Sequence, residues 1–334
     1  MYDIVADIDR LINAVKAAPS VLNTQPWLFQ VVADDRINLR AERDRRLRYV
    51  DPEERELVIS CGAALLNLRL ALQVAGHDSV VWLMPDEKND RDLLASVEIV
   101  STRAHRPTLV EQRLYESIPR RHTNRQPFER KLLHLNIVAE LESAAWQERA
   151  YLWLLHQHET HVLLSDIRKA NRKINEDPRW EDYRNELGQY TNEPMLKRGL
   201  GIPPEAFGPL PANGHIPYRD LGLEWQGPGE RERKSFEKHT RLLAISTDTN
   251  TRTDWLRAGQ GLQRVLLTAA SRNAAASFYT QPLEPVNEED RPQNPWWPWR
   301  RFPQMVMRVG HCSSPAAETP RLHNEELWED LRSR

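Results

Sequence analysis

Two short stretches of the chain carry side chains able to do chemistry together. Arg121-His122-Thr123-Asn124-Arg125 places two guanidiniums around a hydroxyl residue. That grouping suits a phosphate, which takes planar guanidinium forks and a hydroxyl donor at once. A solvated basic turn has the same composition. The second stretch is Ala18-Pro19-Ser20-Val21-Leu22-Asn23-Thr24-Gln25-Pro26-Trp27. Ser20, Asn23 and Gln25 supply donors and acceptors that match the edge of a planar heterocycle or a polyol chain. They equally suit a Ser/Asn turn that joins a helix to a strand.

Other groupings point away from chemistry. His156, His158 and His161 lack a carboxylate or Cys at zinc spacing beyond Glu159, so a metal is not expected. Gly259-Gln260-Gly261 lacks the third glycine and the preceding strand of a dinucleotide turn. No Walker A or G-x-S-x-G motif occurs. Glu53, Glu54 and Glu56 read as helix-start charges rather than catalytic acids. Trp296, Trp297 and Trp299, set between prolines, suit either a loop pinned to the core or a cover over a ligand.

Both motifs sit between predictable elements. Apolar residues at helical spacing predict a helix over 3–18, stopped by Pro19, and strands follow at 27–32 and 37–41. Asp51-Pro52-Glu53-Glu54 predicts a capped helix start, and 57–75 is apolar almost all round, as in a helix buried on several faces. Strands are expected at 79–84, 96–101, 151–156, 242–247, 276–280 and 304–310, and helices at 109–118, 133–146, 160–176 and 254–272. Residues 188–230 are rich in Gly and Pro and too long for an ordinary connection, which predicts a lid or an arm.

The chain also echoes itself. CGAALLNLRLALQVAGHDSVVWLM from Cys61 parallels AGQGLQRVLLTAASRNAAASFYTQ from Ala258, and Gly62 matches Gly259 at an offset of 197. Two buried helices share Leu and Ala in any case, but the matching order of elements favours a duplicated unit.

Composition bounds the rest. The 334 residues carry a net charge of −2, with 40% hydrophobic and 28% charged residues. That profile gives no electrostatic reason for a nucleic-acid or membrane partner. The start, MYDIVADIDR, has no signal-peptide pattern, and two cysteines form no disulfide framework, so a cytoplasmic protein is expected.

These residues carry a resemblance. The APSxxNxQPW stretch resembles a flavin-contacting loop of the nitroreductase family, and RHTNR resembles its basic N-terminal motif. The repeated Gly-x-x-Leu helix is similar to its long central helix. The MRVG strand with Pro320-Arg321 resembles its C-terminal end. Each half keeps one of the two motifs, as in the Acg-type, or twin-type, nitroreductase-like proteins of bacteria. The resemblance implies an α+β nitroreductase-like fold, with two similar halves fused as a pseudo-dimer: 1–108, and 109–330 including the arm.

It further implies one FMN site and an NAD(P)H-dependent transfer through FMN to a nitro compound or quinone. The alternative is an FMN-binding or FMN-sequestering protein with little turnover. Arg121, His122, Thr123 and Arg125 would meet the phosphate and ribityl end, with Arg321 a further phosphate ligand. Ser20, Asn23 and Gln25 would approach from the first half. Gln281-Pro282-Leu283-Glu284 resembles the segment whose backbone N–H faces flavin N5, so Pro282, Leu283 and Glu284 would lie there, although the family's usual glycine is missing and Pro285 follows instead. No side chain is expected to act as nucleophile or general acid, because the chemistry would reside on the flavin. The expected assembly is a monomer acting as a pseudo-dimer.

Overall fold

The computed structural model describes residues 7–102, 104–212, 230–238, 240–284 and 301–332. The tryptophans at 296, 297 and 299, Pro285 and the middle of the Gly/Pro-rich segment lie outside the described residues.

The first half runs α1 (Ile8–Lys16), β1 (Trp27–Ala33), β2 (Arg36–Ala41), α2 (Arg55–Val74), β3 (Asp78–Leu83) and β4 (Leu93–Ser101). Then come α3 (Leu109–Ser117), α4 (Leu135–Gln147) and β5 (Tyr151–Leu154). Next comes an insertion: α5 (Gln157–Glu176), α6 (Glu181–Gln189), α7 (Glu193–Lys197), β6 (Leu210–Pro211) and β7 (Arg233–Lys234). The chain then resumes with β8 (Arg241–Thr247), α8 (Arg252–Ser271), β9 (Ala274–Phe278) and β10 (Phe302–His311), and β11 (Trp328–Asp330) follows.

With the insertion set aside, the order helix–strand–strand–helix–strand–strand occurs twice. The sheets match as well. One pairs β1-β2-β4-β3 and the other β5-β8-β10-β9, and every one of those neighbours is antiparallel. The fold is α+β. The tail departs from the linear division of the chain: β11 pairs in parallel with β1, Phe29 opposite Trp328, and completes the first sheet from the far end of the sequence.

Apolar α2 runs through the core that joins the two sheets. By length and composition it could cross a membrane, but 83% of that stretch is buried inside the protein. It crosses α8 at the two matched glycines. A Cβ on Gly62 would lie 2.2 Å from the Leu256 carbonyl oxygen, and one on Gly259 would lie 2.0 Å from that of Ile59. Residues 59 and 256 are themselves offset by 197, so the contact is reciprocal. Only glycine permits so close a backbone approach.

The entry into α2 differs from the expected one. Glu54 takes a left-handed backbone (φ 61°), so the helix begins at Arg55. Asp51 still caps it: its Oδ2 accepts from the Leu57 N–H at 2.7 Å. Glu54 is held in this conformation beside Arg43, Arg46 and Arg91.

The insertion docks on the first half. Trp180, Tyr183, Leu187, Tyr190, Ile202 and Phe207 pack with Leu22, Leu47 and Val50 in a cluster of their own. Glu186 of α6 accepts the backbone N–H groups of Arg48, Tyr49 and Val50 at 2.6–2.8 Å.

Candidate functional site

A cleft of about 1290 Å³, counted out to its open mouth, lies where the halves and the insertion meet. One wall is the N-terminal half of α2, with Glu56, Ser60 and Ala63 at helical spacing. A second is the end of β9, from Ser277 to Thr280. The insertion adds Ile202, Phe207 and Pro209. Both sequence motifs and Arg321 complete the enclosure.

The basic motif runs beside β9. Thr123 makes a parallel bridge to Ala276, and the Asn124 N–H donates to the Ala276 carbonyl at 2.9 Å. This places Arg121 almost wholly inside, 6% exposed. Its Nη2 donates to the Ala17 carbonyl at 3.1 Å, while Nε has no partner. Burial, with Arg321 adding repulsion, pushes the guanidinium down to about 9. Burial likewise pushes Arg321 down to about 10. Arg321 is positioned by Asn23 Oδ1 at 2.7 Å and Thr319 Oγ1 at 2.6 Å. Among the described residues neither arginine enters an ion pair. Glu318 acts on Arg321 only at longer range. Two buried cations without an ion pair suit an anion with several oxygens.

His122 is half-buried and lowered by burial and then by Arg121. Its Nε2–H donates to the Pro119 carbonyl at 3.1 Å, because a carbonyl can only accept. Arg125 donates to the Ala206 carbonyl at 2.8 Å, tying the motif to the insertion. Arg308 on β10 also lines the cleft. It is ion-paired with Glu237 and lies over the Phe128 and Phe236 rings.

The Ser20–Gln25 loop is strained: Leu22, Asn23 and Gln25 all have positive φ (44°, 57° and 47°). Hydrogen bonds hold it. Ser20 Oγ accepts from the Gln25 N–H at 2.9 Å and Ser60 Oγ from the Val21 N–H at 3.1 Å. Asn23 Nδ2 donates to the carbonyls of Gly201 (3.0 Å) and Pro320 (2.9 Å). Ser20 and Asn23 line the cleft; Gln25 does not. Gln25 is fully buried behind it, its amide consumed by the Gly199 carbonyl at 2.7 Å and the Leu322 N–H at 3.2 Å. Gly199 must be glycine there: its φ is +85°, and a Cβ would lie 2.2 Å from the Arg321 carbonyl oxygen.

Pro282, Leu283 and Glu284 also lie outside the lining, although Thr280 is part of it. Glu284 is turned to structural work, accepting from the Tyr183 and Thr280 hydroxyls at 2.7 Å each. Conversely, Ser60, Ser277, Thr280 and Arg308 face the cleft without having been named as site residues from sequence, and so does Glu56, which the sequence offers only as a helix-start charge. The spacing of Glu56, Ser60 and Ala63 along one stripe of α2 was the available signal. Among the described residues, no group of three or more His, Cys, Asp or Glu could hold a metal ion.

No protein-family model matches the chain. Curated relatives do. A Mycobacterium tuberculosis H37Rv protein, named as a candidate NAD(P)H nitroreductase, is 30% identical over 324 residues, covering 93% of this chain and 88% of its own length. The acg protein of the same strain, similarly named, is 26% identical over 352 residues and 98% of both chains. Solved structures with similarity include a nitroreductase with bound FMN from Bacteroides fragilis, at 13% identity and TM-score 0.36, covering 63% of this chain and 94% of that one. Another, from Desulfitobacterium hafniense with bound FMN, has 10% identity and TM-score 0.37, covering 64% and 95%.

Proposed function

This chain belongs to the nitroreductase-like family of those mycobacterial relatives, and from that premise we propose that it is an FMN-dependent, NAD(P)H-consuming oxidoreductase acting on nitro compounds or quinones. The observation that carries the reading is the pair of buried cations, Arg121 and Arg321, neither of which enters an ion pair among the described residues. A phosphate monoester fits them, with the Thr123 hydroxyl as a further donor. Asn23 holds Arg321 in place, so the strained loop and the basic motif act on one anion. Arg125 extends the positive wall beside it. The apolar sides, Ile59, Leu262, Phe278 and Met305, suit a flat aromatic ring. When bound, FMN would supply the ring position through which NAD(P)H reduces the acceptor.

The matching topology and the reciprocal glycines support reading the halves as a fused pseudo-dimer that acts as a monomer. A single site is supported by what occupies the related position. The offset of 197 takes Ala63 to Gln260. There Arg69 donates to Gln260 Oε1 at 2.7 Å and pairs with Glu148 at 2.6 Å, while Arg264 donates to the other Glu148 oxygen at 2.8 Å. That position is filled and charge-compensated.

The insertion residues Ile202, Phe207 and Pro209 wall the cleft, which favours a second reading, a flavin holder with little turnover. One experiment separates the two. Purified protein should be yellow, or take up FMN. Anaerobic NADPH should bleach the band at about 450 nm if the protein is a reductase. An intact band with bound FMN selects the holder, and a colourless protein that refuses FMN sinks both.

A further inference from the structure

Arg321 supplies one of the two buried cations, yet it lies in a stretch with no helix or strand. Its backbone must be held by other means. Gln25, fully buried behind the cleft, holds one side of it. Gln25 Oε1 accepts from the Leu322 N–H at 3.2 Å, and Nε2 donates to the Gly199 carbonyl at 2.7 Å. Asn23 Nδ2 spans the same two segments, donating to the Pro320 carbonyl at 2.9 Å and the Gly201 carbonyl at 3.0 Å. The residues on either side of Arg321 are therefore each tied to the turn at 199–201 of the insertion. These bonds join residues 174 to 297 positions apart. The turn also lies directly against Arg321. A Cβ on Gly199 would meet the Arg321 carbonyl oxygen at 2.2 Å, and Leu200 is buried in the same core as Leu322.

The side chain is aimed as well. Arg321 donates to Asn23 Oδ1 at 2.7 Å, Thr319 Oγ1 at 2.6 Å and the Pro320 carbonyl at 3.2 Å. Among the described residues all three bonds leave from Nη1. Nε and Nη2 keep their hydrogens for a ligand in the cleft that Arg321 lines. A buried amide whose two ends are paired only when three segments are in place makes their order cooperative. If one segment leaves, a buried N–H or carbonyl in another loses its partner, and that cost falls on the whole joint.

We propose that Gln25 is a positioning residue that couples anion binding at Arg321 to docking of the insertion at its 199–201 turn. Gln25 lies outside the cleft lining and does not touch the anion. It acts through Arg321, by fixing Leu322 on one side and Gly199 on the other. The coupling is reciprocal: an anion that holds Arg321 holds the turn, and a turn that leaves its seat releases Arg321. The choice of FMN as the anion rests on the reading above; the joint between the three segments does not.

The test uses FMN and riboflavin, which has the same ring and ribityl chain without the phosphate. Two variants break the joint from opposite sides: Gln25→Met removes the amide, and Gly199→Ala presses a methyl onto the Arg321 carbonyl from the insertion. Each should weaken FMN binding by about tenfold or more and riboflavin binding by less than about threefold. A merely structural lesion would lower both alike. Hydrogen exchange of the empty variants should quicken at 195–202 and at 319–323 together, with the central sheets unaffected. In the wild type, which needs no variant to fold, FMN should slow exchange at 195–202 and riboflavin should not. Equal losses for the two flavins, an unchanged FMN affinity, quickening in only one of the two stretches, or equal protection by both flavins would overturn the proposal. A wild type that takes up no FMN defeats the flavin reading alone. Inorganic phosphate then replaces FMN as the probe, and its failure to slow exchange at 195–202 overturns the coupling.

Discussion

Replacing Arg121 with Met should make the empty protein more stable and poorer at binding FMN. The guanidinium is buried and depressed from arginine's ordinary value to about 9, by desolvation first and Arg321 second. At pH 7 it is still charged, so the empty fold carries the full cost of holding it. The sign follows from linkage. The folded group binds fewer protons than the unfolded one above about pH 9, so this penalty is present below that pH and fades as pH rises further. At roughly 1.4 kcal/mol per pH unit, the depression sets a ceiling of about 5 kcal/mol. Relaxation and water penetration bring comparable apolar replacements of buried charges to gains of about 1–4 kcal/mol. In a chain of this size that raises Tm by a few degrees. The same change removes a charged hydrogen-bond donor to the phosphate, worth about 1.5–3 kcal/mol, or roughly ten- to a hundredfold in Kd. The assay is differential scanning fluorimetry with and without FMN, alongside fluorescence titration of FMN. Wild type should gain about 2.7 kcal/mol when FMN is present at about a hundred times its Kd. The variant should start higher and gain little. A variant that loses stability when empty and keeps its FMN affinity would refute the argument.

Other outcomes follow from single contacts. Gly62→Ala or Gly259→Ala puts a methyl against backbone oxygen at 2.2 or 2.0 Å, and should cost about 3 kcal/mol or more in urea unfolding. The double variant should cost less than the sum, because either change alone already separates the helices. Glu186→Gln replaces a carboxylate that receives three backbone N–H groups. It should weaken docking of α6 by about 1.5–3 kcal/mol, seen as faster hydrogen exchange there with the sheets unaffected. Asp51 is raised to about 6, so the folded state binds its proton more tightly and this group loses stabilising power as pH rises through that value. Relative to Asp51→Asn, wild type should therefore be more stable at pH 5 than at pH 7.

Local signals made much of this legible. Apolar periodicity marked α1, α2 and α8 because each buries a face set by residues a few positions apart. The matched glycines showed because repetition is visible in a linear string. Failures arose where a residue's partner lies far away in the chain. Gln25 looks like a ligand-reading amide until the Gly199 carbonyl and the Leu322 N–H claim it. The side-chain partner of Glu284 is equally hidden in the string: Tyr183, 101 residues away, donates to its carboxylate. Glu54 breaks the expected helix start through a left-handed backbone beside three arginines from other segments. The return of β11 to β1 has no local signature at all.

The two positions related by the 197-residue offset, at the ends of the central helix pair, differ in how their charges are met. At the second, the turn from α4 to β5 is short, Glu148 caps it, and its carboxylate is shared between Arg69 and Arg264. Every strong charge there meets an opposite one, which makes that position ordinary protein interior. At the cleft, the connection from α1 to β1 is a longer loop held at three positive-φ residues. Arg121 and Arg321 enter no ion pair among the described residues, with Glu318 acting on Arg321 only at longer range. Strain and unbalanced buried charge both lower stability, so one fold keeps them together only where a ligand can offset them. On the proposed reading, an anionic, aromatic ligand offsets them at the cleft, whereas the related position, its charges already paired, has no such need.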